Sequence, residues 1–188
     1  KHLPRLHPSY YSGRAYVHWI FTTKNRETGW LDSEFHQAFR ESLIHRCFQE
    51  GLFCPIYTVM PDHLHVLLIG TEESGDQRLT IRRIRKDLGS KLKSRGAEWQ
   101  KEAFDHVLRA EDRSRGAFRS VVGYIRENPV RKGMVQRPEE WEFSGSVLPR
   151  FPAVAIGHEK FWDIFWREVS ASEDRAEDAA IPASVGSD

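Results

Sequence analysis

At 188 residues and 39% hydrophobic, the chain suits one compact domain with a tail and excludes two full domains. The formal charge of +1 is unevenly spread: residues 171–188 hold five acids against one base, which leaves a basic body of about +5, compatible with a nucleic-acid partner. Two cysteines without CxxC spacing, Cys47 and Cys54, exclude a disulfide framework; no apolar run nears the roughly 18 to 20 residues of a membrane span or forms a leader, so a cytoplasmic protein with no membrane contact is expected.

After an irregular opening with Pro4 and Pro8, residues 15–23 are rich in β-branched and aromatic side chains and read as a strand. Asp32 is placed to cap a helix running to Glu50, because Phe35, Phe39, Leu43, Ile44, Cys47 and Phe48 recur at three- and four-residue steps before Gly51. Two apolar runs, 52–60 and 63–69, joined by Pro61-Asp62, predict an antiparallel hairpin. A second helix follows over about 78–93, with Leu79, Ile81, Ile84, Leu88 and Leu92 as its apolar residues. Residues 104–109 read as a fourth strand and 112 to about 128 as a third helix, with Phe118, Val121, Val122 and Ile125 facing inward.

The order strand, helix, strand, strand, helix, strand is the split-βαβ pattern. The expected fold is therefore α+β, a ferredoxin-like sandwich with an antiparallel sheet plus an additional helix, filling residues 1–150. Beyond Pro129 the chain reads as loop until Phe161, Trp162, Phe165, Trp166 and Val169 mark a short amphipathic helix. That appendage, 151–170, has aromatic spacing that suits packing on the body of the protein better than stacking on bases. The acid-, Ala- and Ser-rich remainder, 171–188, is expected to be a disordered tail.

Chemistry concentrates in the hairpin. His63 and His65 sit at i and i+2 of a strand, so both imidazoles project from one face while Leu64, Val66 and Leu68 point to the other. Such a pair can converge on one metal ion and leave positions for substrate oxygens. Taken alone, it equally describes two histidines packed or solvated on an ordinary strand. Tyr124 lies near the end of the third helix with Asn128 one turn on, on the same face. A tyrosine hydroxyl is a weak nucleophile near neutral pH and gains from a metal ion that polarises a phosphoryl group. Asn128 also precedes Pro129, a position that suits the cap of a following turn.

These residues resemble the single-tyrosine HUH transposases, and REP-associated tyrosine transposases in particular. The resemblance rests on Met-Pro-Asp-His-Leu-His-Val-Leu at 60–67, Trp-Gln at 99–100 and Phe-Asp-His-Val-Leu-Arg at 104–109. It continues with Tyr-Ile-Arg-Glu-Asn-Pro-Val-Arg-Lys-Gly at 124–133 and Trp-Glu-Phe-Ser-Gly-Ser at 141–146. The blocks keep the family's order and spacing over roughly 13–146. What the resemblance implies is a Mg²⁺ or Mn²⁺ ion held by His63 and His65, with Asn128 as the best counterpart of a third ligand on the tyrosine helix. Tyr124 would attack DNA, form a 5′-phosphotyrosine link and release a 3′-hydroxyl. His106 has a family counterpart but reads as structural, and Asp62 as a cap of the hairpin turn rather than a ligand.

Between Arg78 and Arg95 eight basic residues face one acid, Asp87. A run with so few acids to pair reads as phosphate-contacting, with Arg78, Arg82, Arg83, Arg85 and Lys86 as its core. Arg126, Arg131 and Lys132 flank the tyrosine and extend the same role. The resemblance implies single-stranded, hairpin-forming DNA as partner and leaves monomer or homodimer open. Two rival readings remain: a DNA-hairpin-binding module without cleavage, and a zinc hydrolase that activates water. The second needs a third protein ligand and a carboxylate base, for which no HExxH-like spacing is present.

Overall fold

The structure, a computed structural model, describes residues 5–109, 116–148, 150, 151, 154 and 156–180. Five antiparallel strands lie side by side in the order β4-β1-β3-β2-β5. They are β1 (Tyr16–Thr22), β2 (Leu52–Met60), β3 (His63–Gly70), β4 (Phe104–Leu108) and β5 (Ser144–Val147). The first four keep the expected ferredoxin-like arrangement, in which β3 lies between β1 and the next strand in the chain, β2. β5 falls in a stretch that the sequence reads as loop. Ser-Gly-Ser-Val carries no alternation, and the strand is held by tertiary bonds: Val59 N donates to Phe143 O at 2.9 Å and Trp141 Nε1 to Val59 O at 2.9 Å.

Helices cover both faces. On one, α1 (Ser33–Gln49) and α2 (Gln77–Ser94) set Phe35, Phe39, Leu43, Ile81, Ile84, Leu88 and Leu92 against Val17, Trp19, Phe21, Leu64, Val66 and Leu68 of the sheet. On the other, α3 (Ala117–Arg126) and α5 (Phe161–Ala180) pack Phe118, Val122, Ile125, Phe161, Phe165 and Val169 over Tyr16, Ile56, Leu67, Ile69 and Leu108. A short α4 (Asn128–Arg131) follows α3. Asp32 caps α1 as expected, its Oδ1 accepting from Phe35 N at 2.7 Å. Phe48, read as part of the buried stripe, is 73% exposed because the stripe of α1 follows Phe35, Phe39, Leu43 and Cys47. Both cysteines are free and buried.

The third helix is shorter than expected: it breaks at Glu127, while position 112 lies outside the described residues. The last helix is longer. It continues to Ala180, where the sequence reading ends it near 170 and assigns the rest to a disordered tail. Alanine, glutamate and arginine are strong helix formers and can prolong a helix already docked by its first turns. Ser172 is buried there, and its carbonyl accepts from Arg14 Nη2 at 3.0 Å. The end of the expected tail, 181–188, lies outside the described residues. Among the described residues no helix is long and apolar enough to cross a membrane.

Pro55 interrupts β2 without breaking it. The ladder shifts register between Phe53 and Ile56 on the β3 side and between Cys54 and Tyr57 on the β5 side, so the residue that cannot donate sits in a bulge. At the end of β3, Gly70 meets the incoming chain so closely that a Cβ would stand 1.7 Å from the Gly13 carbonyl oxygen. Gly70→Ala must therefore separate two backbones, one of which is tied by the Gly70 N to Ala15 O bond at 2.9 Å. A loss on the order of 3 kcal/mol is expected from such overpacking, read as a lower urea midpoint; an unchanged midpoint would mean that this approach is not maintained.

Candidate active site

The central strand β3 is buried on both faces, and its alternation sorts the hairpin as the sequence predicts. Leu64, Val66 and Leu68 enter the core under α1 and α2, while His63 and His65 face α3 with 7% and 1% exposure. Their Nε2 atoms are 3.1 Å apart. Each ring is also held from behind. His63 Nδ1 meets Asp62 Oδ1 at 2.6 Å, and that carboxylate is braced by Arg26 at 2.8 Å. His65 Nδ1 meets His18 Nε2 of β1 at 2.9 Å. Asp62 thus faces His63, neither ligand nor turn cap by its side chain.

Above the pair, α3 is fixed to the sheet by Val122 and Ile125 and by Thr58, which donates to Ile125 O at 3.2 Å and bonds Ser144 Oγ at 2.8 Å. This brings Tyr124 beside the histidines with 42% of its surface open. Its ring centroid is 5.6 Å from that of His65, edge to face, and Arg131 lies 5.0 Å over the ring. Asn128 lies one turn beyond Tyr124, where its Nδ2 stands 3.1 Å from His65 Nε2 and only 5% of the residue is exposed. The side chain of Asn128 therefore points at His65 and does not cap the following turn. Its Nδ2 is the atom that meets His65; turned over, the same amide would present Oδ1 there.

Burial sets the charge state. It pushes His65 down to about 3, helped by His18 and His63, and His18 down to about 4, helped by His106. Burial lowers His63 too and outweighs the opposing pull of Asp62. The Asp62–His63 contact is then a neutral imidazole donating to a carboxylate. Burial works against the charged form of Asp62 as well, but hydrogen bonds from His63 and Arg26 hold its carboxyl below the ordinary value. With Nδ1–H committed to Asp62, which only accepts, His63 presents a lone pair at Nε2.

A proton on His65 Nε2 would close this 3.1 Å contact as a hydrogen bond; with the proton on Nδ1 instead, two lone pairs face each other there and repel unless a cation lies between them. Ligand atoms at right angles around an octahedral ion with bonds of about 2.1 Å are about 3.0 Å apart. The His63–His65 separation matches that spacing, so the pair fits a divalent ion, which Asn128 would join through Oδ1 once its amide is turned over. Among the described residues no cluster of three or more His, Cys, Asp or Glu could hold a metal, so the third protein donor would be the Asn128 amide.

The other sequence-selected residues divide. Lys132 lies near enough to His63 for its charge to depress that ring, and Arg131 sits over Tyr124. Arg126 is paired with Glu139. The basic run is on α2, across the sheet from Tyr124, and much of it is engaged: Arg83 with Glu50, Arg85 with the Gln100 and Lys101 carbonyls, Lys91 with Glu34, and Arg95 with Asp32 and Glu34. Arg78 lies over the Tyr11 ring, while Arg82 and Lys86 are exposed. His106 shares the face of His18 but is exposed on the edge strand β4, not structural as expected. Phe161 and Phe165 are fully buried, as packing residues should be; Trp162 and Trp166 line an open cleft of about 380 Å³ with Phe118, Arg119 and Val122. His18, Thr58 and the bracing role of Asp62 were not foreseen. For His18 the signal was available, since an apolar strand gains nothing from a lone imidazole unless it has a partner.

Similarity to known proteins points the same way. A REP-associated tyrosine transposase of Escherichia coli K12 is 27% identical over 128 residues, 67% of this chain and 74% of its own length. A Haemophilus influenzae protein, provisionally given the same designation, is 25% identical over 135 residues, 65% of this chain and 72% of its own. Both of these relatives carry the REP-associated tyrosine transposase designation, the second provisionally. No protein-family model matches it. In fold it resembles a solved REP-associated tyrosine transposase, bound to a REP hairpin, with TM-score 0.61 and 24% identity over 75% of this chain and 82% of that one. The α+β architecture read from the sequence is the one this transposase structure has.

The neutral rings predict how stability follows pH. The unfolded chain takes up protons on these histidines near 6.5, while the folded protein keeps His18 and His65 neutral down to about 4 and 3. Because the unfolded state binds more protons in that window, stability is full above about pH 6.5 and declines as pH falls toward 4. Urea midpoints between pH 7 and pH 5 measure the decline. Midpoints independent of pH would mean the rings are hydrated and free to charge.

Proposed function

We propose that the chain is a metal-dependent single-strand DNA endonuclease and strand transferase acting through a covalent 5′-phosphotyrosine at Tyr124. The observation that carries this reading is the convergence of His63 Nε2, His65 Nε2 and the Asn128 amide at 3.1 Å spacings beside a half-exposed tyrosine. A divalent ion bound by these groups, Mg²⁺ or Mn²⁺, would supply charge that draws electrons from the phosphoryl oxygens and orients the phosphate. Tyr124 Oη attacks phosphorus and loses its proton to solvent. The bond from phosphorus to O3′ breaks, the electron pair leaves on O3′, and protonation there releases a 3′-hydroxyl. Attack by another 3′-hydroxyl on the phosphotyrosine reverses the step and joins strands.

Arg131 and Lys132 add positive charge on the Tyr124 side, where a scissile phosphate must lie. The designation of the relatives and the hairpin held by the similar structure support hairpin-forming single-stranded DNA as the substrate. The zinc-hydrolase reading is disfavoured, because a catalytic zinc ordinarily takes three strong protein ligands, whereas Asp62 and His18 meet the Nδ1 atoms of the pair and no three His, Cys, Asp or Glu among the described residues are placed to hold a metal.

Tyr124→Phe removes one hydroxyl from a ring that is already half exposed, so fold and binding are expected to survive. On incubation with hairpin DNA and Mn²⁺ the wild type should yield a covalent adduct on a denaturing gel, and Tyr124→Phe none, with cleavage lower by several orders of magnitude. Cleavage by Tyr124→Phe would sink the mechanism, and a wild type that binds hairpins without ever cutting would support a pure binding module. His63→Ala, His65→Ala and chelation by EDTA should each abolish cutting.

Salt dependence tells which face holds the strand. Each phosphate neutralised on single-stranded DNA contributes a slope of about −0.7 in log K against log salt. Replacing Arg131 and Lys132 together should flatten the slope by about 1.4. The same double replacement at Arg82 and Lys86 flattens it equally only if the DNA also reaches the α2 face, which lies across the sheet.

A further inference from the structure

The two candidate ligands are supported unequally from behind. His63 leans on a carboxylate that is itself braced by arginine, whereas His65 leans on a second imidazole, His18, 2.9 Å away and 6% exposed. His18 occupies a central position on β1, in register between Leu67 of β3 and His106 of β4, and its side chain lies on the site face. Nothing in strand packing calls for a buried imidazole there. A buried polar ring without a partner costs free energy, so the contact with His65 is what makes the residue tolerable.

The hydrogen bond has a definite direction if the site is to work. A neutral imidazole has one donor and one acceptor nitrogen, and His65 can present a lone pair at Nε2 only if its proton is on Nδ1. That proton then points at His18 Nε2, which must accept it and carry its own proton on Nδ1. In the opposite arrangement His65 Nε2–H would donate to His63 Nε2 at 3.1 Å and close the site.

We propose that His18 is a positioning residue that holds His65 in the Nδ1-protonated tautomer and so keeps Nε2 open toward the metal position. The proposal rests on the metal reading given above and concerns an outer partner of one ligand, not a further ligand. His18 also lies 6.2 Å from the Tyr124 ring centroid, so the same imidazole borders the nucleophile and lines up three side chains from three elements.

Two replacements separate hydrogen bonding from bulk. His18→Phe keeps a ring and removes the acceptor; His18→Gln carries an amide oxygen close to the place of Nε2. Free Mn²⁺ followed by electron paramagnetic resonance gives the affinity. His18→Phe should bind Mn²⁺ about 10- to 100-fold more weakly, the range typical for loss of an outer partner, and His18→Gln should stay close to wild type. In parallel, ¹⁵N-histidine spectra of Mg²⁺-saturated wild type should show a protonated Nδ1 on His65, coupled across the hydrogen bond to an unprotonated Nε2 on His18. The proposal is overturned if His18 Nε2 carries the proton, if no such coupling exists, or if His18→Phe binds as tightly as wild type. It is equally overturned if His18→Gln loses as much affinity as His18→Phe, because the residue would then serve only shape. A wild type that binds no Mn²⁺ yet shows the coupling with His65 protonated at Nδ1 defeats the metal reading and upholds the tautomer lock, so the two failures are told apart.

Discussion

A central strand buried on both sides must satisfy two cores with one residue each in turn, and β3 is under that constraint along its whole length. Leu64, Val66 and Leu68 fill the core beneath α1 and α2; Leu67 and Ile69 fill the one beneath α3 and α5. His63 and His65 belong to the second set by parity, so they are carried into a low-dielectric place that apolar side chains would otherwise occupy. A slip of one residue would exchange every one of these faces at once. The position of both rings is therefore guaranteed by the packing of the leucines and valines between and beyond them, not by any property of the histidines.

Burial then does chemical work. The same desolvation that makes an imidazolium unfavourable keeps the rings neutral, which is the state in which a nitrogen lone pair can be offered to a cation. Each ring needs its second nitrogen occupied so that it cannot rotate or change tautomer, and the fold supplies Asp62 from the hairpin turn and His18 from the neighbouring strand. Tyr124, by contrast, is on the rim, where a long polyanion can reach it without the core being opened.

Local periodicity made most of the strands and helices legible, because their apolar faces repeat at steps of two or of three and four: the hairpin, α1 and α2 end within a residue or two of expectation. The pair His63 and His65 was legible for the same reason. What could not be read locally depends on partners far away in the chain. β5 exists because Trp141 and Phe143 tie it to β2, and Thr58 matters because Ile125 and Ser144 meet it from 67 and 86 positions away. The charge run from Arg78 to Arg95 looks nearly acid-free in sequence because the acids that meet Arg83, Lys91 and Arg95, namely Glu50, Glu34 and Asp32, lie in and beside α1 and are brought to it only by the fold.

The stacking of Phe118 on Phe165, planes 11° apart, with Trp162 and Trp166 meeting Phe118 edge-on, makes α5 the outer wall of the tyrosine helix. Synthesis runs from the amino end, so the hairpin with both histidines leaves the ribosome nearly a hundred residues before that wall does. Until residues 161–169 have emerged, Phe118 and its helix have only the sheet to lie on, and their contacts with α5 are missing. Tyr124 and Asn128 thus depend on a helix whose outer packing is supplied by residues 161–169, whereas His63 and His65 sit in a hairpin built from residues made well before them.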